Sequence, residues 1–238
     1  MASPVTSPKP MLNEPRLAGA LVQQALSRPA QAAADTRLWL IRHAEVEARY
    51  QSVFGGQIDM DLSPRGHQQA AALARYLHDR TFSAIYASPM KRVRQTLQPW
   101  VVNGVPRPTI VPALREVDFG AWTGLTFGQV QDRFGVSAWQ WLHEIECGAV
   151  PNGECAASFR ERVEPSLRQI IRSHAGQEVA IVCHGGVIRM LLAILLDLPL
   201  PRMGVFQIEY ASITQVRLRP EQTELQLVNF TPWRELAP

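Results

Sequence analysis

Two histidines occupy the same kind of junction in this chain. Leu38–Ile41 is a short apolar run of the buried-strand type, and it leads directly into Arg42-His43. Val179–Cys183 has the same texture and leads into His184-Gly185-Gly186. In open α/β sheets ligands collect at the carboxyl ends of the strands, so two such histidines face one crevice if their strands are neighbours. The glycines after His184 precede a helical pattern, whose free N–H groups favour an anion. Arg42 adds a planar cationic fork suited to phosphate oxygens. The combination reads as anion chemistry. A single buried histidine is more often structural than catalytic; two at matching strand ends, one beside an arginine and one beside paired glycines, shift the balance to function. His67, His78, His143 and His174 lie in helical, polar stretches and take surface roles. A metal site is not expected, because there is no Cys-x-x-Cys or His-Glu-x-x-His and Arg42 would repel a cation beside His43.

The elements that must position these residues follow from pattern. The chain has 238 residues, 46% of them hydrophobic, enough for one sizeable core. Three cysteines exclude a disulfide framework, and a formal charge of +3 with no long basic block gives no support for nucleic acid as a partner. The strongly apolar run Met190–Leu196 is too short for a bilayer. Residues 1–36 hold five prolines and eight alanines and read as a flexible N-terminal extension, with at most a short helix through Leu17, Leu21 and Ala25. From residue 37 to 238 strands and helices alternate. Strands are expected at Leu38–Ile41, Phe82–Ala87, Thr109–Val111 and Glu178–Cys183. Helices are expected after Ser63-Pro64, over Met90–Trp100, Phe127–Phe134, Ala138–Glu146, Ser158–His174 (with a kink or late boundary at Pro165) and Val187–Leu196. Alternation in Val205–Glu209, Ile213–Leu218 and Leu225–Leu227 reads as two or three closing strands. The fold class is α/β, a three-layer sandwich with a mostly parallel central sheet and helices on both faces.

Beyond the two histidines, further segments fall into a known order. Leu40-Ile41-Arg42-His43-Ala44-Glu45 resembles the Arg-His-Gly-Glu signature of the histidine phosphatase superfamily, in its phosphoglycerate-mutase-like branch. Gly56-Gln57-Ile58-Asp59 and Leu62-Ser63-Pro64-Arg65-Gly66 are similar to the loop and helix start that follow it. Ser88-Pro89-Met90-Lys91-Arg92 with Thr96, then Leu114-Arg115-Glu116 with Phe119-Gly120-Ala121-Trp122-Thr123-Gly124, continue the resemblance. Pro151-Asn152-Gly153-Glu154 and Val182-Cys183-His184-Gly185-Gly186 complete it. Segments in this order are far more specific than Arg-His alone.

The resemblance implies a metal-independent phosphoric monoester hydrolase with no cofactor. His43 would carry the phosphoryl group as phosphohistidine, and Glu116 would protonate the leaving oxygen and then take a proton from water, from a partly apolar wall near Trp122. Arg42, Arg92 and His184 would hold the phosphoryl oxygens, with Gly185 and Gln57 also in contact with substrate. Two departures bear on the pocket. Ala44 stands where the family has glycine, and Arg49 stands near the place of a phosphate-binding asparagine, either replacing it with a charge or pointing to solvent. Trp139, Trp141, Leu142 and Ile145 are expected to roof the pocket. The short segment Leu125–Val150 favours hydrolysis over a phosphoglycerate-type mutase, and Glu116 argues against a non-catalytic phosphoryl-ligand binder. The expected partner is a small phosphomonoester with a partly apolar or cyclic leaving group, the expected setting is cytoplasmic, and a homodimer stays open.

Overall fold

A computed structural model describes residues 35–101, 106–137 and 140–236; the short helix around Leu17 and the character of residues 1–34 lie outside these, as do Ala138 and Trp139. Two strands form the centre. β1 (Thr36–Arg42) and β4 (Glu178–Cys183) are almost wholly buried and pair in parallel, from Arg37 opposite Glu178 to Arg42 opposite Cys183. Side chains alternate across a strand, so Leu38, Leu40, Val179 and Ile181 enter one core while Trp39, Ile41, Ala180 and Val182 enter another. Burial on both faces is why these runs are continuously apolar rather than alternating.

The sheet has the order β3-β2-β4-β1-β5-β6. β2 (Ala84–Ala87) and β3 (Thr109–Ile110) extend the parallel part beyond β4. β5 (Ile213–Arg219) runs antiparallel to β1, and β6 (Gln222–Phe230) antiparallel to β5. Helices α1 (Pro64–Leu77) and α2 (Lys91–Val101) bury Leu73, Leu77, Val93 and Trp100 against one face. Helices α5 (Ala156–Ser173) and α6 (Gly185–Leu195) bury Phe159, Val163, Ile188 and Leu191 against the other. The three-layer α/β sandwich expected from the strand–helix alternation is thus present. The shorter α3 (Phe127–Phe134) and α4 (Trp141–Glu146) precede α5, and α7 (Pro232–Glu235) packs beside α1 near the C-terminus. Among the described residues, no helix is long and apolar enough to cross a membrane.

Three expectations need correction. Val205–Glu209 is not a strand: Leu200–Val205 forms 3-10 turns, and the carbonyls of Phe206 and Ile208 accept from Arg189 and Arg42 instead of a neighbouring strand. Two arginines have taken the hydrogen bonds that a ladder would have used. Pro165 does not end its helix; α5 continues through it to Ser173, held by Phe159, Val163, Leu167 and Ile170 in the core. Finally, β1 opens at Thr36, one residue inside the stretch read as extension, and Thr36 Oγ1 accepts from the Gly176 N–H at 2.9 Å.

The start of α1 is anchored to the segment that follows His43. Ser63 caps the helix by accepting from the Gly66 N–H at 2.9 Å, and its hydroxyl donates to Glu45 Oε1 at 2.7 Å. Pro64 takes the first helical position, where its missing N–H costs nothing. Gly66 is there for close approach, since a Cβ would run into the Glu45 carbonyl oxygen. Helix propensity alone would make Gly66→Ala stabilising by about 1 kcal/mol. We expect the opposite sign, and a loss larger than the roughly 1–2 kcal/mol of removing the cap in Ser63→Ala, both read from urea unfolding midpoints.

Candidate active site

The β1–β4 register delivers the two histidines together. His43 follows Arg42 and His184 follows Cys183, the last paired residues of the two strands. The His43 N–H donates to the Cys183 carbonyl at 3.0 Å, and the ring centres lie 5.2 Å apart. The turn after His43 is fixed by Ala44, whose N–H donates to Thr96 Oγ1 at 2.9 Å. Ala44 is fully buried against Leu62, Ala70 and Ala211, so its methyl group, at the position where the resemblance expects glycine, is packed in the core.

Arg92, in the first turn of α2, reaches between the rings and is itself 2% exposed. Its Nε–H is shared between His43 Nε2 and His184 Nδ1, each at 3.2 Å. Its terminal nitrogens donate to the carbonyls of Ile58 and Gly56, both at 2.8 Å. These contacts settle the tautomers. His43 Nδ1 faces the Ala44 carbonyl at 2.8 Å, an acceptor only, so Nδ1 carries the proton and Nε2 presents its lone pair. His184 Nδ1 accepts from Arg92, and its Nε2–H donates to Ser88 Oγ at 2.7 Å. Burial, then Arg92, then Arg42 hold His43 well below the ordinary 6.5. Burial and then Arg92, with His43 and Arg42 adding to it, do the same to His184. Burial also pushes Arg92 down to about 10, which leaves it fully charged at neutral pH.

A cleft of about 240 Å³ opens over His43. Its polar wall is Arg42, Arg92, Arg189 and Glu116, with Gly185 and Gly186 at the start of α6; its apolar wall includes Phe54, Phe119, Phe127 and Trp141. Glu116 is held by two backbone donors, its own neighbour Val117 at 3.0 Å and Gly186 at 3.1 Å. A Cβ on Gly186 would lie 2.5 Å from Glu116 Oε1, so the second glycine makes room for the carboxylate. Arg42 donates to the Ile208 carbonyl at 2.6 Å and lies over the Tyr210 ring, 4.0 Å from its centre.

The structure therefore gathers Arg42, His43, Arg92, Glu116, His184 and Gly185, although His184 is fully buried behind Arg92 and does not line the cleft. Arg49 is not part of the cluster. It pairs with Glu47 at 3.0 Å on the surface and lies over Tyr50, its side chain 68% exposed. Gln57 is likewise exposed and outside the cleft lining. Phe119 lines the cleft together with Glu116, whereas Trp122 is buried in the core against Phe54. Of the expected roof, Trp139 lies outside the described residues; among the described ones Trp141 lines the cleft, while Leu142 and Ile145 are core residues.

Arg189 and Tyr210 were missed by sequence reasoning. Arg189 had a signal, as the one charge inside the apolar run Val187–Leu195 of α6. Ser88 and Thr96 belong to quoted motifs, but their roles as partners of His184 and Ala44 emerge only in three dimensions. Among the described residues no three His, Cys, Asp or Glu side chains form a metal-binding group.

Comparison with known proteins agrees with this geometry. Residues 38–231 match the model of the histidine phosphatase superfamily (branch 1). The chain is 28% identical to the adenosylcobalamin/alpha-ribazole phosphatase of Escherichia coli, over 81% of this chain and 95% of that protein. It is also 28% identical to phosphoserine phosphatase 1 of Hydrogenobacter thermophilus, over 82% and 92%. A mycobacterial glucosyl-3-phosphoglycerate phosphatase solved with VO3 superposes with a TM-score of 0.72 at 30% identity, covering 81% of this chain and 98% of that one. The two strand-end histidines, with the arginine shared between them, are those of a protein that belongs to the histidine phosphatase superfamily, branch 1.

Proposed function

We propose that the chain hydrolyses a small phosphomonoester through a phosphohistidine at His43. The observation that carries this reading is the state of His43 Nε2. It is neutral, bears a lone pair, and faces a cleft whose wall is arginine. A neutral imidazole nitrogen is what attack on phosphorus requires.

Substrate enters with its phosphoryl oxygens replacing His43 as the acceptor of the Arg92 Nε–H. The Nε2 lone pair forms the P–N bond while the ester P–O bond breaks, and Glu116 gives its proton to the departing oxygen. Water then attacks phosphorus, Glu116 takes the water's proton, and the P–N electrons return to Nε2 as phosphate leaves. Arg42 and Arg92 stabilise the charge spread over the equatorial oxygens in each step, which is why we assign the reaction to the arginines and not to a metal. The relatives named above are phosphatases, which supports hydrolysis over isomerisation. The size of the cleft and its wall of Phe54, Phe119 and Trp141 suit a compact, partly apolar leaving group.

The reading is tested by His43→Ala, expected to lose turnover of p-nitrophenyl phosphate by at least about 10³-fold. Wild-type enzyme quenched during turnover should carry label in an acid-labile, base-stable adduct at His43. Normal turnover by the variant removes the mechanism, and isomerisation of a phosphorylated acid in place of phosphate release would make the enzyme a mutase. Glu116→Gln should slow alkyl phosphates by about 10²–10⁴-fold and p-nitrophenyl phosphate far less, because a phenolate leaves without a proton; equal losses on both remove the acid role.

The lowered pKa values set a pH dependence. Once the ester's own second ionisation near pH 6 is divided out, kcat/KM should not fall at the ordinary histidine pKa, since His43 stays neutral below it. Stability should respond instead. Below about pH 6.5 the unfolded chain protonates both histidines while the native protein does not. The unfolding free energy then drops as pH falls, by up to about 1.4 kcal/mol per pH unit for each histidine. His184→Asn should flatten that slope in urea titrations between pH 6.5 and 5.

A further inference from the structure

The turn that leads into β5 is strained at a residue with a side chain. Ala211 is fully buried and takes a φ of +52°, a left-handed conformation that its Cβ makes costly. Such strain persists only where the surroundings over-determine it, and here they do. The Ala211 N–H donates to the His43 carbonyl and the Arg42 N–H to the Ser212 carbonyl, both at 3.0 Å. The Tyr210 carbonyl accepts from Trp233 Nε1 at 2.9 Å, and the Glu209 N–H donates to Asn229 Oδ1 at 2.6 Å. The end of β1, β6 and α7 all grip one turn. What the turn presents is the half-buried Tyr210 ring, which lines the cleft. Arg42 Cζ lies 4.0 Å from the ring centre, and the His43 ring 5.6 Å from it.

Arg42 depends on that ring more than Arg92 does on any single contact. Arg92 is fixed by two carbonyls and two imidazoles. Among the described residues the Arg42 guanidinium makes one hydrogen bond, from Nη1 to the Ile208 carbonyl at 2.6 Å, and its Nε–H is buried without a partner. A guanidinium held by one hydrogen bond can turn about it. A like charge also presses on it. Arg189 lies across Gly185, where the place of a Cβ is 3.4 Å from Arg189 Nη1 and 3.6 Å from Arg42 Nε. Burial, and after it Arg42, push Arg189 down to about 10. The negative face of an aromatic ring attracts a cation without neutralising it. A carboxylate in the same place would hold Arg42 as well, but would cancel the charge that phosphoryl oxygens are to meet.

We infer that Tyr210 is a positioning residue, whose ring face holds the Arg42 guanidinium in place beside His43 for phosphoryl transfer. The inference rests on the hydrolytic reading of the site. A cation on a desolvated aromatic face, and the misplacement that follows its loss, are together worth about ten- to a hundredfold in rate. Tyr210→Leu should lower kcat on p-nitrophenyl phosphate by that factor while KM changes less than about threefold, since Arg42 is needed most in the transition state. Tyr210→Phe keeps the ring and should stay within about threefold of wild type. In an Arg42→Gln background Tyr210→Leu should cost no more than about threefold, because the two residues act as a unit. Phenylalanine with increasing ring fluorination at position 210 weakens the face at nearly constant size, so kcat should fall stepwise along that series.

A flat fluorination series overturns the assignment, whether or not Tyr210→Leu folds. Undiminished kcat in Tyr210→Leu, or its full loss persisting in the Arg42→Gln background, does the same. So does a loss of about tenfold or more in Tyr210→Phe, which would give the work to the hydroxyl and not the face. Each of these leaves the hydrolytic reading intact. No turnover and no phosphoenzyme with the wild-type protein defeats the hydrolytic reading, and the inference with it.

Discussion

One buried cation organises the centre of this protein. The Arg92 side chain is 2% exposed and, among the described residues, has no acidic partner within ion-pair distance, so every N–H it turns inward must find an acceptor within the fold. The carbonyls of Gly56 and Ile58 supply two, and the lone pairs of His43 and His184 share a third. Those lone pairs exist only while the rings are neutral. The charge that needs the imidazoles as acceptors is therefore one of the forces that keeps them from protonating. The tautomers of the two rings and the conformation of the Gly56–Ile58 loop are consequences of one constraint.

The fold meets that constraint from four distant parts of the chain. Register between β1 and β4 sets the spacing of the rings. The loop at Gly56–Ile58 must close over Arg92 to offer its carbonyls, and Gly56 takes the positive φ of 46° that the closure demands. Thr96 ties the turn after His43 to α2: its hydroxyl donates to the Arg92 carbonyl at 2.7 Å and accepts from the Ala44 N–H at 2.9 Å. On the far side, α6 begins with glycines because its first turn is crowded by other groups. Gly186 yields space to Glu116 and donates to it, so the carboxylate is aimed by the same helix start that carries His184. Parallel strands bring such loops to the carboxyl end of the sheet, and here that end carries the candidate site.

What could be read from the sequence divides along the same physical line. Periodicity and strand-end motifs identified β1, β4 and the residues that leave them, because burial on both faces writes a continuous apolar run. Motif order then placed Arg92 and Glu116, neither of which stands out in its own surroundings; Arg92 sits in Lys91-Arg92-Val93-Arg94, which reads as a solvated helix face. At Arg49, where the sequence leaves phosphate binding and a solvent-facing position both open, the second holds: Glu47 two residues earlier captures it at the surface. Alternation at Val205–Glu209 misled for a related reason, since the backbone acceptors of Phe206 and Ile208 serve arginines from other elements. Local pattern reports what a segment prefers, not which distant donor will claim its carbonyls. Arg189 was legible in principle. A lone arginine in an apolar helix has to justify its burial, and one turn from the helix start it lies directly behind a strand end.

The cleft is also where the molecule departs from the rules that stabilise the rest of it. Outside the cleft, partly buried charges find opposite partners, as Arg162 does in Glu154 at 2.7 Å and Arg37 in Glu178 at 2.8 Å. In the cleft, positive charge exceeds negative and two Nε–H donors face no acceptor. Such an arrangement costs stability in the empty protein, and the cost is returned when an anion arrives. The return is greatest for the species with the most charge in the right place. In the proposed phosphoryl transfer that species would have three equatorial oxygens spread toward the arginines, unlike the tetrahedral ester in its ground state. In the proposed reaction, guanidinium groups held by backbone carbonyls would need little reorganisation to meet it, so the unmatched positive charge of the site would become selective stabilisation of the transition state.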